Sequence, residues 1–431
     1  MKPKQGGNMT GLKQNHSSPP KDYTEPTTNW FRRLSQIERR TFWASFGGFG
    51  LDALDIVLYS FAIPTLIKLW SMTRAQAGLI ATVALVVSAF GGWIGGILSD
   101  RFGRSATLQV TILWFSLFTA LSGLTHSFEQ LLVVRALQGL GFGAEWAVGA
   151  ALIGEMADPR HRGKIVGFVQ SSYAVGWAAA TLIYTASFAL LPADIAWRVL
   201  FFVGLLPALF VFYLRRFIPN HKPDVSDKKK NRHFNEIFSK ALIRRTIFGA
   251  LLATGVQGGY YAVMTWLPTF LRTEKHLTVM HSSGYLVVII IASWLGYAGG
   301  AYMTDMIGRR RCFALFSALT IISALAYTML PSSNFVTLLL GFPLGFCASG
   351  TYSGLGAYFS ELFPARVRGS GMGLTYNFGR AIGASFPFII GALSARISLA
   401  EAIGLFTACA YALVFISILL LPETNGKVLE N

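Results

Sequence analysis

The chain alternates between long uncharged apolar runs and short polar connections. Ala75–Leu98, Leu200–Leu214 and Tyr285–Met303, for example, contain no Asp, Glu, Lys or Arg. A helix of about 20 apolar residues crosses the hydrocarbon core of a bilayer, so each such run predicts a spanning helix. Twelve follow: Thr41–Trp70, Ala75–Leu98, Ala106–Leu124, Leu131–Gly154, Lys164–Leu190, Trp197–Ile218, Thr246–Leu271, Ser283–Met303, Cys312–Met329, Val336–Ser360, Gly369–Ala395 and Ala400–Leu421. The polar remainder divides the chain into a tail (1–40), a first bundle (41–218), a Lys-rich linker (219–245), a second bundle (246–421) and a short tail (422–431). Residues 1–29 are expected to be disordered. Trp30–Arg40 reads as an amphipathic helix lying at the headgroups. The N-terminal tail has no apolar signal-peptide core, so the first span is expected to act as its own insertion signal.

The two bundles carry matching loops. Gly96-Ile97-Leu98-Ser99-Asp100-Arg101-Phe102-Gly103-Arg104 follows the second run, and Ala301-Tyr302-Met303-Thr304-Asp305-Met306-Ile307-Gly308-Arg309 follows the eighth. Asp100 and Asp305 are 205 residues apart, as are Gly103 and Gly308. Glu155, Arg162, Gly163 and Gly167 recur at Glu361, Arg368, Gly369 and Gly373 with an offset of 206. Two matched sets at one spacing indicate a duplicated half.

Composition refines this picture. The 431 residues are 53% apolar and only 13% charged, about half the charge fraction of a soluble domain. The formal charge of +17 is a matter of topology. With the N-terminus on the cytoplasmic side, 29 of the 37 Lys and Arg fall in cytoplasmic segments and six opposite (Lys68, Arg74, Arg198, Arg272, Lys275, Arg396). Arg135 and Arg380 lie inside spans. That asymmetry is the positive-inside pattern, which places both termini in the cytoplasm and argues against nucleic acid as partner. Cys312, Cys347 and Cys409 have no paired spacing and read as core fillers. The 44 glycines suit close helix approach.

Gly96-x-x-x-Asp100-Arg101-x-Gly103-Arg104, Arg135-x-x-Gln138-Gly139-x-Gly141 and the two Glu…Arg-Gly loops together resemble the major facilitator superfamily. The resemblance covers residues 40–421 and implies an all-α membrane protein of twelve spans in two pseudo-symmetric six-helix bundles, working by alternating access around a central site. The second loop departs from the pattern at Ala301 and Met306, so a weaker latch is expected there.

Charge in hydrocarbon is costly, so each ionisable group within a span is a candidate for function. Asp52 and Asp55 lie three apart on one face of the first span. Arg135 and Glu145 lie about 15 Å apart along the fourth. No histidine lies in a predicted span, so proton coupling falls to Asp52, Asp55 and Glu145, with Arg135 as partner. A low-dielectric site favours the neutral acid and a nearby arginine favours the anion, so an arginine that moves relative to Asp55 loads and releases a proton. The alternative is a permanent bridge between the first and fourth spans. Arg380 is a candidate clamp for a substrate carboxylate, which a guanidinium holds by two parallel hydrogen bonds. The alternative is a bridge to an aspartate of the first span or to a backbone carbonyl. Gln170, Tyr173 and Trp177, Gln257, Tyr260 and Tyr261, Tyr352 and Ser353, and Tyr376 and Asn377 are candidate pocket residues, though aromatic rings also serve packing. Trp30, Trp70, Trp197 and Trp266 are expected as interface anchors. Gly96, Asp100, Arg101, Gly103, Arg104, Asp305 and Arg309 are expected to gate one face, with bridges Glu155–Arg162 and Glu361–Arg368 at the rim.

No GxxxxGK[ST] loop, spaced metal cluster or nucleophile–base set is present, so no cofactor, metal or enzyme activity is expected. Asp52-x-x-Asp55 with Gly379-Arg380 is similar to the metabolite–proton symporter branches that import aromatic acids, muconate, sialate or lactate. Aromatic-acid members read Asp-Gly-aromatic-Asp where this chain reads Asp-Ala-Leu-Asp. The Pro-Glu-Ser-Pro run of sugar porters is absent after Ile218, and Tyr173–Trp177 lacks the proline of drug antiporters. The expectation is a monomeric symporter in a bacterial inner membrane, importing a small organic carboxylate with protons. The alternative is a transporter of another solute: a sialate- or lactate-like acid, a sugar, or a drug exported by antiport.

Overall fold

The computed structural model describes residues 31, 34–156, 162–217, 236–330, 333–364 and 367–425. The expected tail disorder, the midpart of the linker and the last six residues lie outside it.

Helix starts follow local capping chemistry. Ser35 caps α1 (Gln36–Leu69) in a reciprocal box with Glu38, and Thr73 does the same with Gln76 for α2 (Arg74–Phe102). Of the stretch expected as an interfacial helix, Phe31 is helical and is parted from α1 by Leu34 and Ser35, residues 36–40 belong to α1, and residues 30, 32 and 33 lie outside the described residues. In the first half, α3 (Arg104–Ser122), α4 (Phe128–Met156) and α5 (Arg162–Leu190) follow. The sixth run is two helices, α6 (Ala193–Val203) and α7 (Leu206–Phe217), parted beside Gly204 where Pro207 has no N–H to give. The second half comprises α8 (Ile243–Thr273), α9 (Val279–Ile307), α10 (Arg309–Met329), α11 (Asn334–Ser353), α12 (Leu355–Leu362), α13 (Arg368–Gly383), α14 (Phe386–Leu393) and α15 (Leu399–Leu420). The tenth run is broken at Gly354 and the eleventh at Ala384–Ser385, just before Pro387.

Ten stretches among the described residues are long and apolar enough to cross a membrane. The charged α4 and the broken α13–α14 pair complete twelve crossings. α1 and α8 are the most buried, with 72% and 83% of their most apolar stretches covered against 39% for α5, so they run through the centre of the molecule. His281 falls in the first turn of α9, not in a loop. Cys409 is exposed on α15, so only Cys312 and Cys347 are core fillers.

The duplication is visible in the backbone. Gly103 (φ 94°, ψ 152°) and Gly308 (φ 93°, ψ 156°) make the same turn between consecutive helices, in the left-handed region that favours glycine.

α1 begins and α15 ends on one face, here the terminal face; the opposite face is distal. The halves meet along α1 against α8, α5 against α9, and α2 against α13 and α14. On the distal side the halves close together. The Thr185 and Ser283 hydroxyls are 2.6 Å apart, and Arg272 donates to the Tyr184 hydroxyl at 3.5 Å. On the terminal side, a Cβ added at Gly369 or Gly373 of α13 would meet nothing within 4 Å.

Glycine contacts set the helix spacing. A Cβ at Gly176 of α5 would lie 1.8 Å from the Gly50 carbonyl oxygen of α1, so backbone meets backbone there. Gly176→Val is expected to destabilise the first half by about 3 kcal/mol or more, read as a lowered melting temperature of the purified protein in detergent. Gly284→Ala, where a Cβ meets nothing within 4 Å, is expected to leave it unchanged or slightly raised.

Candidate functional site

A small cavity lies between the halves at mid-span. α1 contributes Phe49, Asp52 and Ile56, α4 Phe142, and α5 Gln170 and Tyr173. The second half supplies Tyr260 and Tyr261 from α8, Tyr297 from α9, Tyr352 from α11, and Tyr376 and Arg380 from α13. Six phenols, one carboxylate and one guanidinium therefore face a single space. Arg380 is 3% exposed, with its guanidinium over the rings of Tyr376 (5.3 Å) and Phe142 (5.5 Å). Aromatic faces stabilise a buried cation in this arrangement. The rings brace one another across the halves: Tyr173 packs edge-on to Tyr260 at 5.6 Å, and Tyr260 against Tyr352 at 5.4 Å. Asp52 and Arg380 thus reach the cavity from opposite halves.

Asp55 has a different setting. Fully buried on α1, it accepts hydrogen bonds from Thr119 of α3 and Gln138 of α4, and pairs with Arg135 of α4 at 3.5 Å. The Arg135 guanidinium also lies 5.2 Å from the Tyr59 ring. Every partner belongs to the first half. Rocking the halves as rigid bodies therefore leaves the Asp55–Arg135 separation unchanged, which removes the physical basis for loading Asp55 by that motion.

Two other expected pocket residues stand behind the wall. Gln257 is fully buried, donates to the Tyr376 carbonyl at 2.9 Å and accepts from the Tyr261 hydroxyl at 3.4 Å, so it braces two lining tyrosines. Asn377 donates to the Gly373 carbonyl at 2.9 Å, and its Oδ1 lies against Gly92 of α2. Trp177 is packed in the core, and Ser353 donates to the Gly350 carbonyl.

On the terminal face, Arg309 is a hub. It binds Glu361 through both carboxylate oxygens (3.1 and 2.8 Å), Asp305 at 2.5 Å and the Thr304 carbonyl at 2.8 Å. The expected bridge from Glu361 to Arg368 is thus replaced by one to Arg309, because the turn at Gly308 aims Arg309 at α12. Thr424 also donates to Glu361 at 2.6 Å. Glu423 accepts the backbone N–H groups of Arg309 and Arg310 at 3.0 Å each, capping α10 from the chain's far end. The second loop is heavily tied within its own half, by Glu361 and by residues 423 and 424 beyond the repeat, while the matching side chains of the first loop lie outside the described residues. Arg101 is exposed and lies 5.4 Å from the Phe102 ring. The side chains of Gly96, Asp100, Arg104, Glu145, Glu155 and Arg162 lie outside the described residues.

Residues 45–386 and 291–430 match the family model of the Major Facilitator Superfamily. The chain belongs to that superfamily. It is a transport protein and not an enzyme. A probable 4-methylmuconolactone transporter of Cupriavidus pinatubonensis is 44% identical over 411 residues, covering 93% of this chain and 94% of that one. The cis,cis-muconate transport protein of Acinetobacter baylyi is 32% identical, covering 80% and 84%. Among solved structures, the superfamily proton:xylose symporter XylE bound to 6-bromo-6-deoxy-D-glucose has a TM-score of 0.72 at 18% identity, covering 91% and 98%, a likeness of fold.

Within this superfamily fold, the cavity residues that sequence reasoning missed are Phe49, Ile56, Phe142 and Tyr297. Tyr297 had a signal: Ser293, Gly296, Tyr297 and Gly300 form one buried helical stripe on α9. Trp197 and Trp266 are 1% and 0% exposed, so they are core residues and not interface anchors; the Trp266 indole donates to the Pro387 carbonyl at 3.0 Å. Trp70 meets Trp197 edge-on at 5.5 Å, and Trp30 lies outside the described residues.

The Glu423 cap has a pH signature. Partial burial pushes its carboxyl up, but the backbone N–H groups of Asn425, Arg310, Thr424 and Arg309 together hold it below the ordinary glutamate range. A lowered folded-state value means that the bonding is complete at neutral pH and is lost as pH falls through that value. Protection of the Arg309 and Arg310 amides, the slowing of exchange relative to an unstructured amide at the same pH, is expected to hold at about pH 4.3, the ordinary glutamate value, and to fall only as pH drops through the lower folded-state value. Glu423→Ala is expected to remove this protection at neutral pH.

Proposed function

We propose that the protein imports a small organic carboxylate with a proton, by alternating access in a bacterial inner membrane with both termini in the cytoplasm. The observation that carries this reading is that Asp52 and Arg380 line one cavity from opposite halves. With no solute, an ionised Asp52 balances the Arg380 charge in that space. A substrate carboxylate arriving at Arg380 brings a second negative charge into low dielectric, and the cavity returns to neutrality when Asp52 takes a proton. The pair of charges then crosses as a neutral set. The six phenols and the Phe49, Ile56 and Phe142 side chains suit a planar, unsaturated or aromatic body. The relatives named for muconolactone and muconate agree with that class. Asp52 is preferred over Asp55 as proton carrier because only Asp52 faces a charge on the moving partner half.

Electroneutral symport of one anion with one proton is driven by the pH gradient at about 1.4 kcal/mol per pH unit. The test is uptake of labelled aromatic and unsaturated acids into proteoliposomes with an imposed, collapsible gradient. Arg380→Lys keeps the charge but not the planar fork, and is expected to raise the KM roughly ten- to hundredfold. Asp52→Asn is expected to abolish gradient-driven accumulation while keeping counterflow exchange. Asp55→Asn is expected to lower stability by about 3–5 kcal/mol through the unpaired Arg135, seen as lost protein yield. Uptake indifferent to Arg380→Lys, or accumulation that survives Asp52→Asn, would overturn the assignment.

A further inference from the structure

The break in the eleventh crossing is occupied by a side chain of the opposite half. In a continuous helix, the Phe388 N–H would donate to the Ala384 carbonyl, four residues back. Here the Thr82 hydroxyl of α2 sits in that bond: it donates to the Ala384 oxygen at 2.6 Å and accepts from the Phe388 N–H at 3.2 Å. Thr82 is 9% exposed. Pro387 has no N–H for the Gly383 carbonyl, so the 384–388 bond is the link by which α13 and α14 can rejoin. The helices are pressed together on either side. A Cβ at Gly78, one turn from Thr82, would lie 2.3 Å from the Pro387 oxygen, and a Cβ at Gly391 would lie 2.3 Å from the Arg74 oxygen. Arg380 is one turn before the joint, and its carbonyl accepts the Ala384 N–H at 2.9 Å.

The geometry points to Thr82 as a positioning residue: its hydroxyl couples closure of the distal face to a bend in α13–α14, and so to the placement of Arg380 in the cavity. Distal opening draws α2 away from α14. The Ala384 oxygen and Phe388 N–H then lose the hydroxyl between them, and the direct bond of a continuous helix can form and straighten the crossing that carries Arg380. The solute clamp is thereby set differently in the two states by one hydroxyl that never touches the solute. The inference rests on the alternating-access part of the reading above, but not on which solute is carried.

The test uses the full-length protein in nanodiscs with Cys409→Ser and no solute. One spin-label pair, at Leu190→Cys and Met280→Cys, reads the distal separation; a second, at Phe378→Cys and Ile389→Cys, reads the joint. Thr82→Val keeps the shape and removes the hydroxyl; Thr82→Ala is the substitute should Val not yield protein. Either is expected to shift the distal-closed to distal-open ratio at least roughly tenfold toward open and to lengthen the joint distance, while Thr82→Ser keeps both distributions as in the parent. Equal distributions in the parent, Val (or Ala) and Ser variants would overturn the role of Thr82, as would equal shifts in Val and Ser, which mark a packing effect. A parent that shows one distal distance at every pH tested would overturn alternating access and this inference together.

Discussion

Hydrocarbon offers a polar group no partner, and the arrangement of this molecule follows from that constraint. Each buried charge is met by a specific set of groups, and where those groups come from decides what the charge can do. Asp55 is satisfied by Thr119, Gln138 and Arg135. All three belong to its own half, so this network survives any rigid movement between halves and acts as a fixed internal brace. Asp52 and Arg380 are divided between the halves, so the energy of that arrangement changes when the halves move. Two aspartates three residues apart on one helix thus have opposite mechanical situations.

The same accounting separates the two faces. On the terminal side, the second-half loop is fixed by a bidentate Arg309–Glu361 pair and by Glu423 folding back onto the N-terminus of α10. These contacts lie wholly within the second half and so preserve its shape. On the distal side, the side-chain hydrogen bonds that cross between the halves among the described residues are single hydroxyl or phenol bonds, beside close helix packing: Thr185 with Ser283, Arg272 with Tyr184, and Thr82 with the α13–α14 joint. Individually such bonds contribute about 1 kcal/mol. Weak contacts between strongly braced bodies are what a reversible change of exposure requires, since a tightly bonded face would not reopen.

Much of this was legible in sequence, and the misses have common causes. The twelve runs follow from hydropathy alone, and the duplication follows from Asp100, Gly103 and Arg104 recurring at Asp305, Gly308 and Arg309; the shared backbone angles of Gly103 and Gly308 show how literal the repeat is. Hydropathy does not register a break inside an apolar run, so the joints at Gly204, Gly354 and Ala384 were invisible, although Pro207 and Pro387 mark two of them. Facing direction was the other limit. Residues one apart on a helix point about 100° apart, so Asn377 turns to α2 while Tyr376 turns to the cavity. Trp197 and Trp266 were expected at the interface from their nearness to run ends, yet α6 and α8 bury them. Glu361 was paired with Arg368 by analogy with the repeat, whereas its partner is brought near by the turn at Gly308.

The composition of the cavity bears on selectivity as distinct from affinity. A lone guanidinium would accept any carboxylate, and an apolar slot would accept any flat body of the right size. Here Arg380 lies over Tyr376 and Phe142, so its position is fixed by rings that are themselves braced: Tyr376 through its backbone by Gln257, and Tyr260 by Tyr173 and Tyr352. A solute that pairs with Arg380 must then lay its remaining atoms among phenols whose directions are already set. Short aliphatic acids would leave those hydroxyls without new partners, and bulky ones would have to part rings that hold the halves in register. On this reading the discriminating element is the rigidity of the tyrosine lattice, and the charge pair supplies the energetic link between solute and proton.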